Sequence, residues 1–225
     1  MKKLIALTFI LSSVMIADSS IAQQGGRWGS TKTSTLGADQ KGYYAQSIAD
    51  MPFEDVNEIE EGSLVYMREE EKLARDLYRS FYEKWKTPIF DNISKSEQKH
   101  TDSIKALLTK YEITDPVINN EKGIFTNSEL QEIYNELITS GSLSFFDALK
   151  VGAAVEELDI SDLTQALEQT DSQDIKTVYE NLLKGSRNHL RSYVQMINNY
   201  GQDYEAVYLT PEEVETIVSS EMERG

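Results

Sequence analysis

Residues 96–100 read "SEQKH", which places the carboxylate of Glu97 and the imidazole of His100 three residues apart in a segment with helical periodicity. Side chains with this spacing lie on the same side of a helix. That side also carries the apolar residues Ile93, Ile104, Leu107 and Tyr111. Because an isolated carboxylate or imidazole is costly to bury, either this face contacts water or the interior holds something that needs both groups.

Glu97 by itself has a second explanation. The spacing Ser94-x-x-Glu97 matches a capping box, in which the glutamate would bond to the backbone at the start of the helix. That alternative does not account for His100, which lies a turn further along the apolar stripe. A single histidine on such a face is more often a hydrogen-bonded core residue than a metal ligand, so this helix alone leaves both interpretations open.

The helix before it also carries carboxylates near its apolar stripe. The stripe consists of Met67, Ala74, Tyr78, Phe81 and Trp85. Glu70 and Glu71 flank its centre, about 50° to either side at 100° per residue. Periodicity does not choose between them. The alternative is that the whole run "REEEKLARD", residues 68–76, is a solvated charged face.

A third long helix has a carboxylate within its stripe of Leu149, Ala153, Ile160, Leu163 and Leu167. Glu156 lies at the angular centre of that stripe, and Asp159 lies about 60° away. Glu157 lies about 100° away, and we expect it to be exposed. An isolated carboxylate at the position of Glu156 would have to be neutralised or find a cation.

The fourth long helix carries the second of only two histidines in the chain. His189 faces inward, with Ser186 one turn before it. The apolar residues on that side are Ile175, Val178, Leu182, Tyr193 and Met196. Both histidines are therefore predicted on core faces of different helices.

The two halves of the chain repeat one pattern. A helix with an inward glutamate precedes a helix with an inward x-x-His, first Glu71 with Glu97-x-x-His100 and then Glu156 with Ser186-x-x-His189. Two such histidine helices facing two glutamate helices can surround a pair of divalent ions in the core of a helical bundle. The sequence thus favours one shared metal centre over two unrelated core histidines.

The fold predicted from periodicity is all-α, a four-helix bundle with one long crossover that contains a short helix. The long helices are predicted at about 62–85, 90–111, 144–169 and 172–200, and the short crossover helix at 127–140. The bundle as a whole is assigned to residues 59–203. Residues 204–225 form a tail with one more short helix, for which Thr210 is the predicted N-cap and Pro211 the first residue.

The N-terminus has the pattern of a secretory signal peptide. Two lysines precede an apolar run from Leu4 to about Ala17, and small residues at Ser20 and Ala22 suit cleavage after Ala22. About 14 apolar residues are too few to span a bilayer comfortably. We therefore expect a secreted or periplasmic protein without membrane insertion, with residues 1–22 as signal peptide and 23–58 as an extended linker.

Composition limits the partners and the ligands. Removing residues 1–22 changes the formal net charge from −16 to −17, which makes nucleic acid an unsuitable partner. The chain contains no cysteine, which excludes disulfides, iron–sulfur clusters and thiolate zinc sites. A bound metal would therefore use oxygen and imidazole ligands. That set favours iron or manganese, although zinc could also occupy it.

Four stretches together resemble a known family. They read "MREEEKLARDLY", "SEQKH", "EELDISDL" and "GSRNHL". From about residue 64 to 202 the chain resembles the ferritin-like superfamily, and more closely an uncharacterised bacterial family of ferritin-like proteins. In ferritins and rubrerythrins a tyrosine follows the first-helix ligand glutamate by seven residues, as Tyr78 follows Glu71 here. The resemblance therefore selects Glu71 over Glu70.

The same resemblance implies a ligand set and an activity. The implied metal ligands are Glu71, Glu97, His100, Glu156 and His189, with Tyr78 as a residue that tunes the centre or donates to it. The implied activity is that of a di-iron or di-manganese carboxylate oxidoreductase acting on oxygen, peroxide or ferrous iron. The alternatives are a non-catalytic metal-binding module and a metal-free interaction domain. A monomer or homodimer is expected rather than a storage shell.

One position departs from the family pattern. Ser186 stands where a fourth-helix glutamate is expected, and a neutral hydroxyl is a poor ligand without charge. Asp159, one turn beyond Glu156, could supply the missing carboxylate, or could instead cap the turn that follows it. With Asp159 the centre has four carboxylates and two imidazoles, which formally balance two divalent ions. Without it, the site would hold one ion or none.

Overall fold

A computed structural model describes residues 48–224 of the chain. The predicted signal peptide and most of the predicted linker, residues 1–47, lie outside the described residues. Six complete α-helices and no strand lie in the described range. The helices are α1 (Glu58–Trp85), α2 (Pro88–Lys110), α3 (Ser128–Gly141), α4 (Phe145–Glu168), α5 (Gln173–Asn199) and α6 (Pro211–Ser219).

The start of α1 is fixed by a capping box that the sequence reading did not use. The Asn57 side chain accepts hydrogen bonds from the backbone N–H groups of Ile59 and Glu60, at 2.9 and 3.1 Å. The Glu60 carboxylate in turn accepts from the backbone N–H of Asn57 at 3.0 Å. Because this pair satisfies free backbone donors, α1 begins at Glu58, four residues before the predicted start.

The second helix begins at Pro88, where proline is favoured because its missing N–H would have no helical partner. Glu97 therefore lies well inside the helix, and Ser94 donates its hydroxyl hydrogen to the carbonyl of Asp91 at 2.9 Å. The capping-box explanation for Glu97 is wrong.

Both predicted short helices are present. The crossover helix α3 begins after Asn127, whose side chain accepts from the N–H groups of Glu129 and Leu130. In the tail, Thr210 is the N-cap of α6 and Pro211 its first residue, as the sequence predicted.

The helices pack in two pairs. Helix α1 lies along α2, and α4 lies along α5, while α1 contacts α4 and α2 contacts α5. The short helix α3 packs on α1 and α4, and α6 packs on α5. Each half of the chain therefore consists of two long helices followed by a short one.

The apolar core is divided into two clusters. On α2, Phe90 and Ile93 belong to one cluster and Ile104 and Leu107 to the other. Glu97 and His100 come between these two sets. On α5, likewise, His189 falls between the residues of the two clusters. A buried polar layer therefore separates the two apolar halves of the core.

The alternative that the charged run at residues 68–76 is a solvated face is wrong. Its charged side chains are all buried: Arg68, Glu69, Glu70, Glu71, Lys72, Arg75 and Asp76. The crossover segment bonds to five of them, namely Arg68, Glu69, Lys72, Arg75 and Asp76. The Lys72 ammonium donates to the Asp76 carboxylate at 2.6 Å and to the carbonyls of Glu121 and Ile124 at 2.9 and 3.0 Å. These bonds fix the crossover on α1.

No helix within residues 48–224 is long and apolar enough to cross a membrane. The long helices each carry buried charges instead, as the run on α1 illustrates.

We predict that Lys72→Met lowers the free energy of unfolding by about 3 kcal/mol, because it leaves the buried Asp76 carboxylate without one of its cations. Urea unfolding followed by circular dichroism measures this change. The control is Lys95→Met, which removes an exposed ion pair with Asp91 and should cost less than about 1 kcal/mol. Equal losses in the two variants would contradict the structural role of Lys72.

Candidate metal centre

The polar layer is centred on the carboxylate of Glu97. Its Oε2 lies 2.7 Å from Nδ1 of His100, and its Oε1 lies 2.7 Å from Nδ1 of His189. Glu97 comes from α2, near the middle of the helix, and only 2% of its surface is exposed. One carboxylate therefore contacts imidazoles from two different helices.

Each imidazole also meets a second glutamate. Glu71 Oε2 on α1 lies 3.2 Å from Nδ1 of His100, and Glu156 Oε2 on α4 lies 3.3 Å from Nδ1 of His189. The result is two groups of three potential ligands, Glu71–Glu97–His100 and Glu97–Glu156–His189, with the ligand atoms of each group within 4.8 Å of one another. Glu97 belongs to both groups.

These separations fit metal coordination. Two ligands that are each about 2.1 Å from an ion and about 90° apart lie roughly 3.0 Å from each other. The four Glu–His distances are 2.7–3.3 Å. In addition, Oε1 of Glu71 is buried and accepts no hydrogen bond. Since buried carboxylate oxygens are normally satisfied, this oxygen is available to a cation.

Tyr78 contacts the second group through Glu156. Its hydroxyl donates to Oε1 of Glu156 at 2.6 Å and lies 3.2 Å from the carbonyl oxygen of Gly152. Burial, and next the charge of Glu156, raise the pKa of Tyr78 well above its ordinary value. The neutral phenol thus acts as a donor that orients Glu156.

Asp159 lies beside the two groups without belonging to either. It is inside α4, so the alternative that it caps a turn is wrong. Its Oδ2 accepts a hydrogen bond from Ser186, while its Oδ1 is buried and accepts none. Ser186, which stands where the family pattern has a glutamate, therefore binds the carboxylate of Asp159 on α4.

Electrostatics in the layer follow from burial and charge. Burial raises the pKa of Glu71 to about 7, against the effect of His100, and burial raises the pKa of Glu156 and of Asp159 as well. The pKa of Glu97 is lowered because both imidazoles outweigh its burial.

For the two imidazoles, burial and the neighbouring charges act on the pKa in opposite directions. Although burial lowers the pKa of a histidine, the carboxylates of Glu97 and Glu156 raise that of His189 to about 10. Glu97 and Glu71 raise the pKa of His100 well above its usual value. Metal ligands must be deprotonated. With four carboxylates ionised and two imidazoles neutral, the layer would carry four negative charges, which two divalent ions would balance.

Glu70 and Glu157, which neighbour the candidate ligands Glu71 and Glu156, do not belong to either ligand group. Glu70 is buried but lies outside both ligand groups. Glu157 was predicted to be exposed, and this is wrong, because its side chain is fully buried beneath the C-terminal tail. The helical angle placed Glu157 away from the bundle core correctly, but periodicity contains no information about the tail that covers it.

Gly185 is a site residue that the sequence reading missed. A Cβ atom at this position of α5 would lie 2.6 Å from Nε2 and 2.7 Å from Cε1 of His100. A methyl group there would displace the imidazole, so glycine allows α5 to approach α2 at this level. The small pair Gly185-Ser186 just before His189 was the only sequence signal of this close approach.

Comparison with known proteins identifies the family. Residues 60–221 match the family described as "Uncharacterized protein domain (DUF2202)". The chain belongs to the DUF2202 family. All six candidate ligands, including Asp159, lie within the matched range of this DUF2202 domain.

A relative of this DUF2202 chain has a solved structure. "Uncharacterized protein MJ0754" of Methanocaldococcus jannaschii is 53% identical over 178 residues, which is 79% of this chain and 96% of the relative. The crystal structure of hypothetical protein MJ0754 superimposes with a TM-score of 0.76 at 52% identity, covering 77% of this chain and 99% of the other. The helical domain described above is thus similar to one determined by crystallography.

We predict that Gly185→Ala lowers the affinity for Mn²⁺ by roughly 10-fold or more, because the methyl group forces His100 out of its position. Isothermal titration calorimetry measures the affinity. The matched control is Gly62→Ala in α1, where nothing lies within 4 Å of the added Cβ. This control should gain about 0.5–1 kcal/mol of stability and keep its affinity. An unchanged affinity in Gly185→Ala would refute the packing role of Gly185.

Proposed function

We propose that this protein is a ferritin-like four-helix bundle that binds two divalent ions, iron or manganese, and acts as a di-metal carboxylate oxidoreductase on oxygen, peroxide or ferrous iron. The observation that carries the proposal is the position of Glu97. Its two oxygens contact two imidazoles on different helices, and each imidazole has its own additional glutamate. A carboxylate in this position would contribute one oxygen to each of two ligand groups.

The helix arrangement supports the ferritin-like assignment. In the di-metal carboxylate bundles, two helices each supply a glutamate and the other two each supply a Glu-x-x-His pair. Here α1 and α4 supply Glu71 and Glu156, and α2 supplies Glu97 with His100. Helix α5 supplies only His189. At the position where a second glutamate of α5 is expected, Ser186 instead bonds to the carboxylate of Asp159 from α4.

The ligand types support iron or manganese. Carboxylates suit manganese, and imidazole suits iron and zinc as well. If Asp159 is counted, the four negative charges match two divalent cations. The buried, low-dielectric surroundings make such a match important.

The protein side of the chemistry follows from the contacts. Bound ions of this type would supply electrons to oxygen or peroxide. Glu71, Glu97 and Glu156 would hold them, and Tyr78 keeps Glu156 oriented through its hydrogen bond. The imidazoles are the most exposed groups of the two triads, at 10–11% of the side chain against 1–2% for the glutamates. Small molecules would therefore approach from the histidine side.

We also propose export of the protein, since residues 1–22 have the features of a signal peptide. The strongly acidic composition would attract metal cations rather than nucleic acid. An exported metal-dependent oxidoreductase, monomeric or dimeric, is consistent with both features.

We predict that Glu97→Gln reduces the metal content from two ions per chain to less than one. The change removes the charge that both ligand groups share and leaves each with one carboxylate. The protein is loaded anaerobically with ferrous iron or Mn²⁺, desalted, and measured by inductively coupled plasma mass spectrometry.

The control for this measurement is Glu60→Gln, which changes a buried glutamate that bonds to Thr170 and Ser172 outside the polar layer. It should retain the wild-type metal content. A wild-type protein that binds no metal would refute the proposed function and favour the interaction-domain alternative. Metal binding without oxygen or peroxide consumption would favour the non-catalytic module.

We predict that Tyr78→Phe keeps both ions but lowers the rate of oxygen or peroxide consumption by roughly 10-fold, because Glu156 loses its oriented donor. An oxygen electrode and a peroxide assay measure the rate, and metal analysis of the same sample checks loading. A wild-type rate in the Tyr78→Phe variant would remove Tyr78 from the mechanism.

A further inference from the structure

We propose that the C-terminal tail positions one half of the metal centre, the Glu97–Glu156–His189 group, and that Glu157 is the positioning residue through which it acts. We define residues 204–224 as the C-terminal strap. The inference rests on the proposed metal-binding function and adds to it a structural element outside the four long helices.

The first attachment of the strap is at Glu157, next to the ligand Glu156. Three consecutive backbone N–H groups, those of residues 207–209, donate to Oε2 of Glu157 at 2.9, 2.8 and 2.9 Å. The hydroxyl of Tyr204 donates to Oε1 at 2.6 Å. A fully buried carboxylate thus accepts hydrogen bonds from four donors of one segment. These bonds hold α4 at the residue that follows the ligand Glu156.

The second attachment surrounds His189 on α5. Glu223 accepts from Nε of Arg187 at 2.7 Å and from Nη2 of Arg191 at 3.0 Å. Asn188 pairs with the backbone of Glu223 in both directions, at 2.9 and 3.0 Å. The strap therefore holds the residues on both sides of the ligand histidine.

Arg191 extends this attachment towards α6. Its Nε donates to the carbonyl of Ile217 at 2.8 Å, and its Nη2 donates to the hydroxyl of Ser220 at 2.7 Å. The strap thus connects the neighbour of Glu156 on α4 to the neighbours of His189 on α5. Because both ligands of this group other than Glu97 are adjacent to a strap contact, the strap fixes their separation.

The first half of the chain has a matching device. The Glu69 carboxylate on α1 accepts from the backbone N–H groups of Thr126 and Asn127, at 2.6 and 2.8 Å, just before α3. Arg68, also on α1, donates to the Asp115 carboxylate of the crossover at 3.1 Å and to the carbonyl of Thr101, the residue after His100, at 3.2 Å. The crossover thus contacts the neighbourhood of Glu71 directly and that of His100 through Arg68.

The equivalence extends to helical register. Glu69 precedes the ligand Glu71 by two positions, and Glu157 follows the ligand Glu156 by one. At 100° per residue the two offsets differ by about 60° around the helix axis, so the two glutamates project to neighbouring sides relative to their ligand. Each half therefore has its own segment that folds back on its glutamate helix.

The two halves differ in how much they need this support. The Glu71–Glu97–His100 group has both members of a Glu-x-x-His pair on one helix turn. The second group obtains only His189 from α5, because Ser186 supplies no carboxylate. Its ligands come from three separate helices, so their relative position depends more on the strap.

The test compares two matched variants, Glu157→Gln and Glu69→Gln, in two backgrounds that each retain one ligand group. His100→Ala retains the second group, and His189→Ala retains the first. We expect Glu157→Gln to lower the Mn²⁺ affinity by roughly 10–100-fold in the His100→Ala background and to leave it unchanged in the His189→Ala background. Glu69→Gln should show the reverse. Calorimetric titration with Mn²⁺ measures each affinity.

A purely structural role of Glu157 would lower the affinity equally in both backgrounds, which would overturn the proposal. An unchanged affinity in both, while amide hydrogen exchange shows residues 207–209 released, would also overturn it and leave the proposed function intact. Absence of Mn²⁺ binding in the wild-type protein would instead refute the proposed function itself. Glu223→Gln, which changes a partly exposed residue, gives a second measurement if Glu157→Gln does not fold, and should lower the affinity in the His100→Ala background only.

Discussion

The structure depends on one carboxylate that is shared between two imidazoles. For Glu97 to lie 2.7 Å from both His100 and His189, α2 and α5 must meet at one level along their axes. The contacts of Glu71 with His100 and of Glu156 with His189 then place these residues of α1 and α4 at the same height along the bundle. Apolar side chains tolerate small shifts between helices, but groups held at about 3 Å do not. The polar layer thus specifies how the four long helices align.

This layer has consequences for the rest of the core. Charged groups interrupt the apolar contacts, so the core consists of two clusters on either side of the layer. Burying several carboxylates is unfavourable unless cations and donors compensate them. Donors come from Tyr78, Ser186 and the imidazoles, and the remaining negative charge is the physical basis for proposing two divalent ions.

Short segments outside the long helices complete the arrangement. The crossover covers a charged stretch of α1, and the C-terminal strap binds Glu157 with four donors. In each half a carboxylate within two residues of a candidate ligand accepts hydrogen bonds from backbone N–H groups that precede a short helix. The family match over residues 60–221 includes both of these segments as well as the long helices. The domain therefore consists of two similar units. Each has two long helices and a following segment with a short helix that folds back on the first of them.

The sequence by itself determined the helices and the inward side chains, because hydrophobic periodicity records which face is buried. It placed α2, α3, α4 and α5 within about two residues of their observed bounds and predicted the start of α6 at Pro211. It placed Glu97, His100, Glu156 and His189 on inward faces, whereas the choice of Glu71 over Glu70 came from the family resemblance. It did not determine the start of α1, the burial of residues 68–76 or the position of Glu157. These depend on capping and on contacts between segments roughly 45–60 residues apart in the chain, which a helical period does not contain. Only the tertiary structure showed that Gly185 packs on His100, and that Ser186 holds Asp159, because both facts require two helices to be at the same level.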